Sequence, residues 1–388
     1  MPWKETRVMD EKIRFIAAVD AEPRGNFARL CASFGISRAT GYKWIERYKA
    51  LGPAGLESCA PVAERCPHTT SAEVERRVVE LRKQRPFDGP KKLRALLLQR
   101  ATPGEVVPAA STIGDILDRN GLIRPRRWRL HVPASVSPLS HAERPNDLWC
   151  TDHKGDFELG NGIRCYPLTI TDAVSRYLIK CEGVEDKSEE LARPHFELAF
   201  REFGVPGGMR SDNGTPFATT AIGGLSALSV WWIQLGIRPE RIDLGHPEQN
   251  GRHERMHQTL KQQTASPPKK NMVAQQAAFD LFRHDFNDVR PHEALGQTAP
   301  ARHYAPSYRA MPEKPRPPEY EAGVVTRLVA MNGSVSWKGE HLFLSRLLAG
   351  QPVGFKLVDD DEWELRYGPV SLGYVLLRAG RVLLEKTG

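Results

Sequence analysis

Apolar residues recur at helical spacing through the first third of the chain, in short runs that stop on aspartates through the middle, and at alternating positions near the end. Between residues 10 and 20, Ile13, Ile16 and Ala17 share one helical stripe. Pro23-Arg-Gly25 breaks that helix, and a second one spans 26–34. Gly35-Ile-Ser37 follows, with Ser37 placed as the N-cap of a third helix reaching about Leu51. Phe27, Leu30, Cys31, Ile36, Trp44 and Ile45 make the predicted small core. Two helices joined by a glycine turn read as a helix-turn-helix, with Arg38, Thr40, Tyr42, Lys43, Arg47 and Lys49 on the helix that would enter a major groove. A generic three-helix bundle is the plain alternative, and Gly41 stands where such a motif carries a β-branched core residue.

A turn-rich linker from Pro53 to Pro67 precedes a second helical module. Its helices are Ser71–Arg85 (Val74, Val78 and Leu81 on one face), about Pro90–Arg100, and one beginning near Ser111 that carries Ile113, Ile116 and Leu117 to an Asn120-Gly121 stop. After a second proline-marked linker, strands are predicted at 148–152, 166–172 and 177–181, then a helix at 189–203 and another strand before Asp212. Strands alternating with helices make an α/β layer. Beyond the proline-rich hinge at 312–318, five or six short strands with Gly and Asp turns suggest a small β-barrel. The expected fold is multidomain: helix-turn-helix modules at 1–58 and 68–130, an α/β core at 143–310 and a β-barrel at 320–388.

Charge sharpens this division. Of the net +8, residues 1–145 carry 26 Lys and Arg against 16 Asp and Glu, whereas 146–320 carry 21 against 23 and 321–388 carry 8 of each. A basic front half suits a polyanion, although solubilising charge would look the same. Lys91 and Lys92 in Gly89-Pro-Lys-Lys-Leu-Arg, and Arg124, Arg126, Arg127 and Arg129 around Trp128, are candidate phosphate contacts. No run of eighteen apolar residues occurs and the N-terminus lacks an apolar signal region, so the expectation is a soluble, unexported, cytoplasmic protein. The six cysteines include no C-x-x-C pair; Cys59, Cys66 and His68 fit no common zinc knuckle, and reduced thiols are the better account.

The candidate chemistry is acidic. Asp152 and Asp212 each end an apolar strand and are followed by small or polar residues. Carboxylates converging at neighbouring strand ends repel unless cations stand between them, and oxygen-only ligands select Mg²⁺ or Mn²⁺. Two such ions about 4 Å apart can clamp both oxygens of an in-line phosphoryl displacement without a histidine base. The stretch Gly245-His-Pro-Glu-Gln-Asn-Gly-Arg-His-Glu-Arg-Met-His257 leads through a turn into a helix that offers a further carboxylate, Glu248 or Glu254. Lys261 lies seven residues after Glu254, on the same face.

Five ordered segments resemble the core of bacterial insertion-sequence transposases with a retroviral-integrase-type catalytic domain. They are Trp149-Cys-Thr-Asp152, Ile170-Thr-Asp172 through Tyr177, Arg210-Ser-Asp-Asn-Gly214, Pro247-Glu-Gln-Asn-Gly-Arg-His-Glu254 and Asn287-Asp-Val-Arg-Pro-His292. The resemblance covers nearly the whole chain and implies a ribonuclease-H-like core. It also implies a metal-binding D-D-E triad of Asp152, Asp212 and Glu254, with Mg²⁺ or Mn²⁺ as two ions per site. Glu248 has the spacing from Asp212 common in integrases. The family glutamate, however, follows the P-x-x-x-G turn, and the surplus is assigned to a loop, Ala221-Ile-Gly-Gly-Leu-Ser-Ala227, inserted before the Trp231-Trp232 helix. Arg255 and Lys261 would meet the DNA backbone.

The same letters spell His253-Glu-Arg-Met-His257, an H-E-x-x-H. Basic flanks and the unexplained aspartates argue against a zinc peptidase, and the histidines are expected to face solvent or orient phosphates. Asp172 is expected to shape a hairpin, and Arg290-Pro-His292 to pack the closing helix. The resemblance implies a DNA transposase that binds terminal inverted repeats, exposes 3′-OH ends and joins them to target DNA as a multimer on paired ends, associated with a bacterial nucleoid. A transposase-derived DNA-binding regulator without catalysis, or a ribonuclease-H-type nuclease, are the alternatives.

Overall fold

The computed structural model describes residues 8–21, 26–57, 70–123, 139–243, 251–378 and 381–386. The chain divides into two compact units, residues 1–69 and 70–388.

The first unit holds α1 (Val8–Ala21), α2 (Phe27–Ser33) and α3 (Arg38–Leu51), closed by a 3₁₀ turn at Gly52–Leu56. Ser37 caps α3 as predicted, its hydroxyl accepting from the Thr40 amide at 3.1 Å. Phe15, Ile16, Cys31 and Leu56 are buried, and the predicted Phe27, Leu30, Ile36, Trp44 and Ile45 pack around them half-buried. The structure also explains Gly41. A Cβ there would stand 2.8 Å from Cys31 Sγ and 2.9 Å from Phe27 Cζ, so α3 crosses α2 too closely for a side chain. The β-branched residue was replaced by a closer helix approach.

In the second unit, α4 (Ala72–Gln84), α5 (Pro90–Arg100) and α6 (Ala110–Arg119) enclose Val78, Leu81, Leu93, Leu96, Ile113 and Ile116. Ser71 caps α4. Val289, from far along the chain, packs against this helical core.

The central sheet is mixed. Strands β1 (Leu148–His153) and β3 (Arg164–Asp172) pair antiparallel, and β4 (Leu178–Val184) continues antiparallel beyond β3. On the other side β5 (Gly208–Ser211) and β6 (Arg238–Arg241) add in parallel, and the two-residue β2 (Phe157–Glu158) pairs with the start of β3. Period-two alternation gives the sheet two apolar faces. Trp149, Leu168, Ile170 and Ile179 pack with α7 (Glu189–Phe203) and α8 (Ala227–Gln234) through Phe196, Phe200, Trp231 and Trp232. Cys165, Leu178 and Cys181 pack instead with α9 (Gly251–Thr264) and α10 (Met272–His284) through Met256, Leu260, Phe279 and Phe282. The strand β6 was not foreseen: Arg238-Pro-Glu-Arg241 is half exposed and carries no apolar alternation.

The C-terminal strands depart from expectation. Strands β7 (Val325–Leu328), β10 (Pro352–Asp359), β11 (Glu362–Tyr367), β12 (Val370–Arg378) and β13 (Arg381–Lys386) form one antiparallel sheet in the order β13-β12-β11-β10-β7. A separate hairpin holds β8 (Ser334–Trp337) and β9 (Glu340–Phe343). Among the described residues β7 and β13 remain edges, so the strand pairing does not close the expected barrel. The core of Trp337, Phe355, Trp363 and Tyr367 is completed by Ile222, Leu225, Val230 and Ile233 of the segment between β5 and β6. The inserted loop therefore has a partner. Gly223, at φ 64°, sits so close that a Cβ would meet Leu372 Cδ2 at 2.8 Å.

Candidate active site

Asp152 and Asp212 arrive at the site by different routes. Asp152 is the fifth residue of β1, and its strand partner in β3 is Thr169. Asp212 lies one residue past the end of β5, where its carboxylate accepts from the Gly214 amide at 3.1 Å. Because β1 and β5 are adjacent and parallel, both acids lie at the same end of the sheet. Burial, followed by the Asp212 charge, raises the Asp152 carboxyl from 3.8 to about 7. The two aspartates are brought together as the sequence suggested.

Helix α9 lies against β1, with His253, Met256, His257 and Leu260 buried and Glu254, Arg255, Gln258 and Lys261 exposed. Glu254 and Lys261 share the outer face, as their spacing requires. Among the described residues, however, no three His, Cys, Asp or Glu side chains stand close enough to hold an ion, so Glu254 is not gathered to the aspartates. Glu248 lies outside the described residues, as do Cys59, Cys66, His68, Arg124, Arg126, Arg127 and Arg129. A cavity of about 110 Å³ beside the site is lined by Lys154, Gly155, Phe157, Pro167, Leu260 and Lys261.

The two histidines were misplaced by sequence reasoning. They neither face solvent nor stand free for phosphates: His253 is 2% exposed and His257 is fully buried. Both Nε2 atoms contact the Thr169 hydroxyl, at 2.7 Å and 2.6 Å, and His253 Nδ1 contacts the Thr171 hydroxyl at 2.8 Å. Among the described residues His257 Nδ1 has no hydrogen-bond partner, and it lies 3.5 Å from Asp152 Oδ2. Burial takes His253 down to about 3 and His257 well below its usual value, so both rings are neutral. A usable signal was present in the letters. Thr169-x-Thr171 shares a strand face and His253-x-x-x-His257 a helix face, and two polar pairs on otherwise apolar faces satisfy one another.

Other acids have structural roles. Asp172 is 1% exposed and accepts from the amides of Asn146 at 2.7 Å and Ser175 at 2.6 Å and from the Ser175 hydroxyl at 2.6 Å, shaping the β3–β4 turn. Asp156 pairs with Arg164.

The basic candidates separate as well. Arg38, Tyr42 and Lys43 are exposed on α3, whereas the Thr40 hydroxyl meets Ser37 at 2.9 Å and Arg47 donates to the Glu57 carbonyl at 3.1 Å. Lys91 pairs with Glu293 at 2.5 Å. Lys92 is half-buried beside Arg290 and Arg255, and burial with those charges lowers it to about 8. Both lysines therefore face the α9 and post-α10 segments of the same unit. There Arg290, 5% exposed, reaches Asp88 at 3.0 Å, and Asp88 also pairs with Arg85 at 3.1 Å. Arg85 continues to Asp285. This buried chain of charges ties α4 to the segment after α10.

The aspartate pair has a measurable consequence. In EDTA, Asp152 keeps its proton in the folded state up to about pH 7, whereas the unfolded chain releases it near 3.8. The folded state binds more protons across that window, so its stability falls as pH rises from about 4 to about 7 and then levels. Urea midpoints of wild type minus Asp152→Asn across this range should trace that fall. A flat difference curve would show that Asp152 is not perturbed.

Comparison with known proteins defines the class. Residues 142–247 and 235–300 match integrase core domain families, residues 11–58 match a helix-turn-helix domain and residues 40–117 a homeodomain-like domain. The chain carries segments that match integrase core and helix-turn-helix domains, and the resemblance to insertion-sequence transposases stands. It is 27% identical over 241 residues to the uncharacterized 31.7 kDa protein of insertion element IS407 from Burkholderia multivorans, covering 62% of this chain and 83% of that protein. It is 28% identical over 190 residues to the uncharacterized 39.2 kDa protein of insertion element IS476 from Xanthomonas euvesicatoria, covering 48% of this chain and 52% of that one. Among solved structures, it is similar to a simian T-cell lymphotropic virus intasome bound to a PP2A regulatory subunit (TM-score 0.38, 16% identity, 78% of this chain and 100% of the other). It is also similar to the HTLV-2 integrase catalytic core in complex with magnesium (TM-score 0.33, 14% identity, 42% and 100%). No described helix is long and apolar enough to cross a membrane.

Proposed function

We propose that the chain is a DNA transposase that binds the terminal inverted repeats of a mobile element, cleaves to expose 3′-OH ends and joins those ends to target DNA. The observation that carries this is the Asp152–Asp212 pair at the ends of adjacent parallel strands, with α9 alongside. The functional division we take is helix-turn-helix modules at 1–58 and 68–130, a catalytic core at 143–310 and a C-terminal domain from 320. Arg38, Tyr42 and Lys43 offer exposed groups for duplex recognition, and Arg255 and Lys261 an exposed basic face next to Glu254. The multimer on paired ends belongs to the same proposal.

The donor set fits a divalent ion. Asp152 and Asp212 supply only oxygens, and their mutual repulsion is what a cation between them relieves. Asp152 and Asp212 would hold Mg²⁺ or Mn²⁺, and Glu254, which this structure does not gather to them, would have to join the set from α9 when the ion and DNA are bound. Bound there, the ions would polarise the scissile phosphate and stabilise charge on the attacking and leaving oxygens. The protein's part is to position the carboxylates through the sheet and to hold the DNA backbone with Arg255 and Lys261. In the joining step the 3′-oxygen forms a bond to the target phosphorus, and the displaced 3′-oxygen takes up a proton.

The test is a strand-joining assay with labelled DNA carrying the sequences that flank the reading frame. Joining is expected in Mg²⁺ and not in EDTA, and Glu254→Gln should abolish it. Activity retained by Glu254→Gln and lost in Glu248→Gln would move the third carboxylate. Divalent-independent binding of the flanking DNA with no nicking or joining would favour a regulator instead.

A further inference from the structure

We infer that Thr169 fixes His257 as the tautomer whose Nδ1–H is directed at Asp152 Oδ2, so that a buried imidazole seats one carboxylate oxygen and leaves the other for a cation. This rests on the assignment of Asp152 as a metal-binding residue.

Proton counting on the buried network carries the inference. The Thr169 hydroxyl has one hydrogen and three polar neighbours: the Asp152 carbonyl at 3.1 Å, His253 Nε2 at 2.7 Å and His257 Nε2 at 2.6 Å. If the hydrogen goes to the carbonyl, both neutral imidazoles must donate from Nε2. With a cation bound the Asp152 carboxylate is ionised, and His257 then turns a bare Nδ1 lone pair toward it. If it goes to His253, His257 must again donate from Nε2, with the same repulsion. If it goes to His257 Nε2, every close contact becomes a donor meeting an acceptor. His257 carries its proton on Nδ1, facing Asp152 Oδ2. His253 donates from Nε2 to Thr169, and the Thr171 hydroxyl donates to His253 Nδ1. What is given up is the longest of the contacts, to the Asp152 carbonyl.

Two features fit a positioning role. His257 Nδ1 is buried with no other partner among the described residues, so its donor is satisfied there by closing on Asp152, which needs a shift of about half an ångström from 3.5 Å to hydrogen-bond distance. Catalytic hydrogen bonds are often long before the ligand binds. A neutral ring also donates without placing a positive charge beside a cation site. The rings of His253 and His257 stand edge to face at 4.5 Å, so the second histidine braces the first. The network joins α9 to β3 and β1 in the same contacts that aim Asp152. His257 is thus a positioning residue, and Thr169 sets its tautomer.

The experiment uses the full chain and two readouts. Nitrogen-15 NMR of histidine-labelled protein in Mg²⁺, with the His257 signal assigned by its loss in His257→Asn, should show the proton on Nδ1 in wild type. Thr169→Val should shift it to Nε2. Calorimetry with Mn²⁺ alone should show about 10- to 100-fold weaker binding in His257→Ala, as for other residues that orient a metal ligand. His257→Asn, whose amide can donate in the same direction, should recover most of the loss. A proton on Nε2 in wild type with Mg²⁺, or wild-type Mn²⁺ affinity in folded His257→Ala, overturns the inference. Should His257→Ala fail to fold, the wild-type NMR result decides. If Asp152→Asn binds Mn²⁺ as wild type does, the metal-site assignment itself falls and takes this inference with it.

Discussion

Asp152→Asn and Asp212→Asn should each lower strand joining by about a thousandfold while leaving the fold intact. Asparagine keeps the shape of the side chain and removes the charge that would hold the cation. Metal ions at such a site contribute several kcal/mol of transition-state stabilisation, and about 4 kcal/mol corresponds to three decades of rate. The stability effect should have the opposite sign. Asp152 and Asp212 repel, and burial already disfavours the Asp152 charge. In EDTA above pH 7, Asp152→Asn should therefore melt at or above the wild-type temperature. Joining measured with labelled ends, beside a melting curve in EDTA, checks both halves. Undiminished joining by either variant would remove that residue from the site. A large fall in melting temperature would mean that the carboxylate is a structural acceptor like Asp172, which takes the Ser175 amide of its own turn and the Asn146 amide from the segment before β1.

Asp88→Ala should destabilise the second unit by about 3–5 kcal/mol, a large share of the roughly 5–15 kcal/mol that holds a typical domain. Asp88 is 1% exposed and pairs with both Arg85 and Arg290. Removing it leaves two largely buried guanidiniums without their shared counter-ion. The Arg290 contact is close, at 3.0 Å, yet Asp88 Oδ1 makes no aligned hydrogen bond among the described residues, so charge rather than geometry holds this end of the cluster. Arg290→Leu in the Asp88→Ala background should consequently restore part of the loss, because it removes the buried charge that lost its ion pair, whereas Arg85 keeps Asp285. Urea denaturation monitors the size of the effect. Hydrogen exchange in residues 72–84 and 285–290 should show protection lost on both sides of the contact. Loss confined to one side would mean that the ion cluster does not tie the two segments.

Much of the architecture was legible in the sequence because local rules settle it. Ser37, Ser71 and Ser188 cap helices where hydroxyls precede apolar stripes, and Gly121 adopts a left-handed φ of 66° just after α6. Strand β1 stops near Asp152 because a run of apolar residues there gives way to Lys154-Gly155. The acidic pair was legible for a related reason: carboxylates following apolar strands leave few places to go other than a shared sheet end. Five or six C-terminal strands were expected where seven are described, β13 being the one missed, and the pairing that leaves them open was not legible either. Alternation specifies which face of a strand is buried and not which edges meet.

The fate of α9 shows the limit most clearly. Its sequence determined a helix and the shared outer face of Glu254 and Lys261. It could not determine what lay beneath. Two histidines in a polar-looking stretch seemed destined for solvent, and only the packing of α9 on β3 placed them against Thr169 and Thr171. Likewise Lys91 and Lys92 looked like phosphate contacts until α5 was seen to turn them toward Glu293 and Arg290. The loop at 221–227 looked like surplus until the C-terminal sheet closed over Gly223. Helix and strand follow from neighbours in the chain, through dihedral preference and apolar period. The partner of a buried polar group comes from a distant segment, so its hydrogen bonds exist only once the tertiary contact has formed.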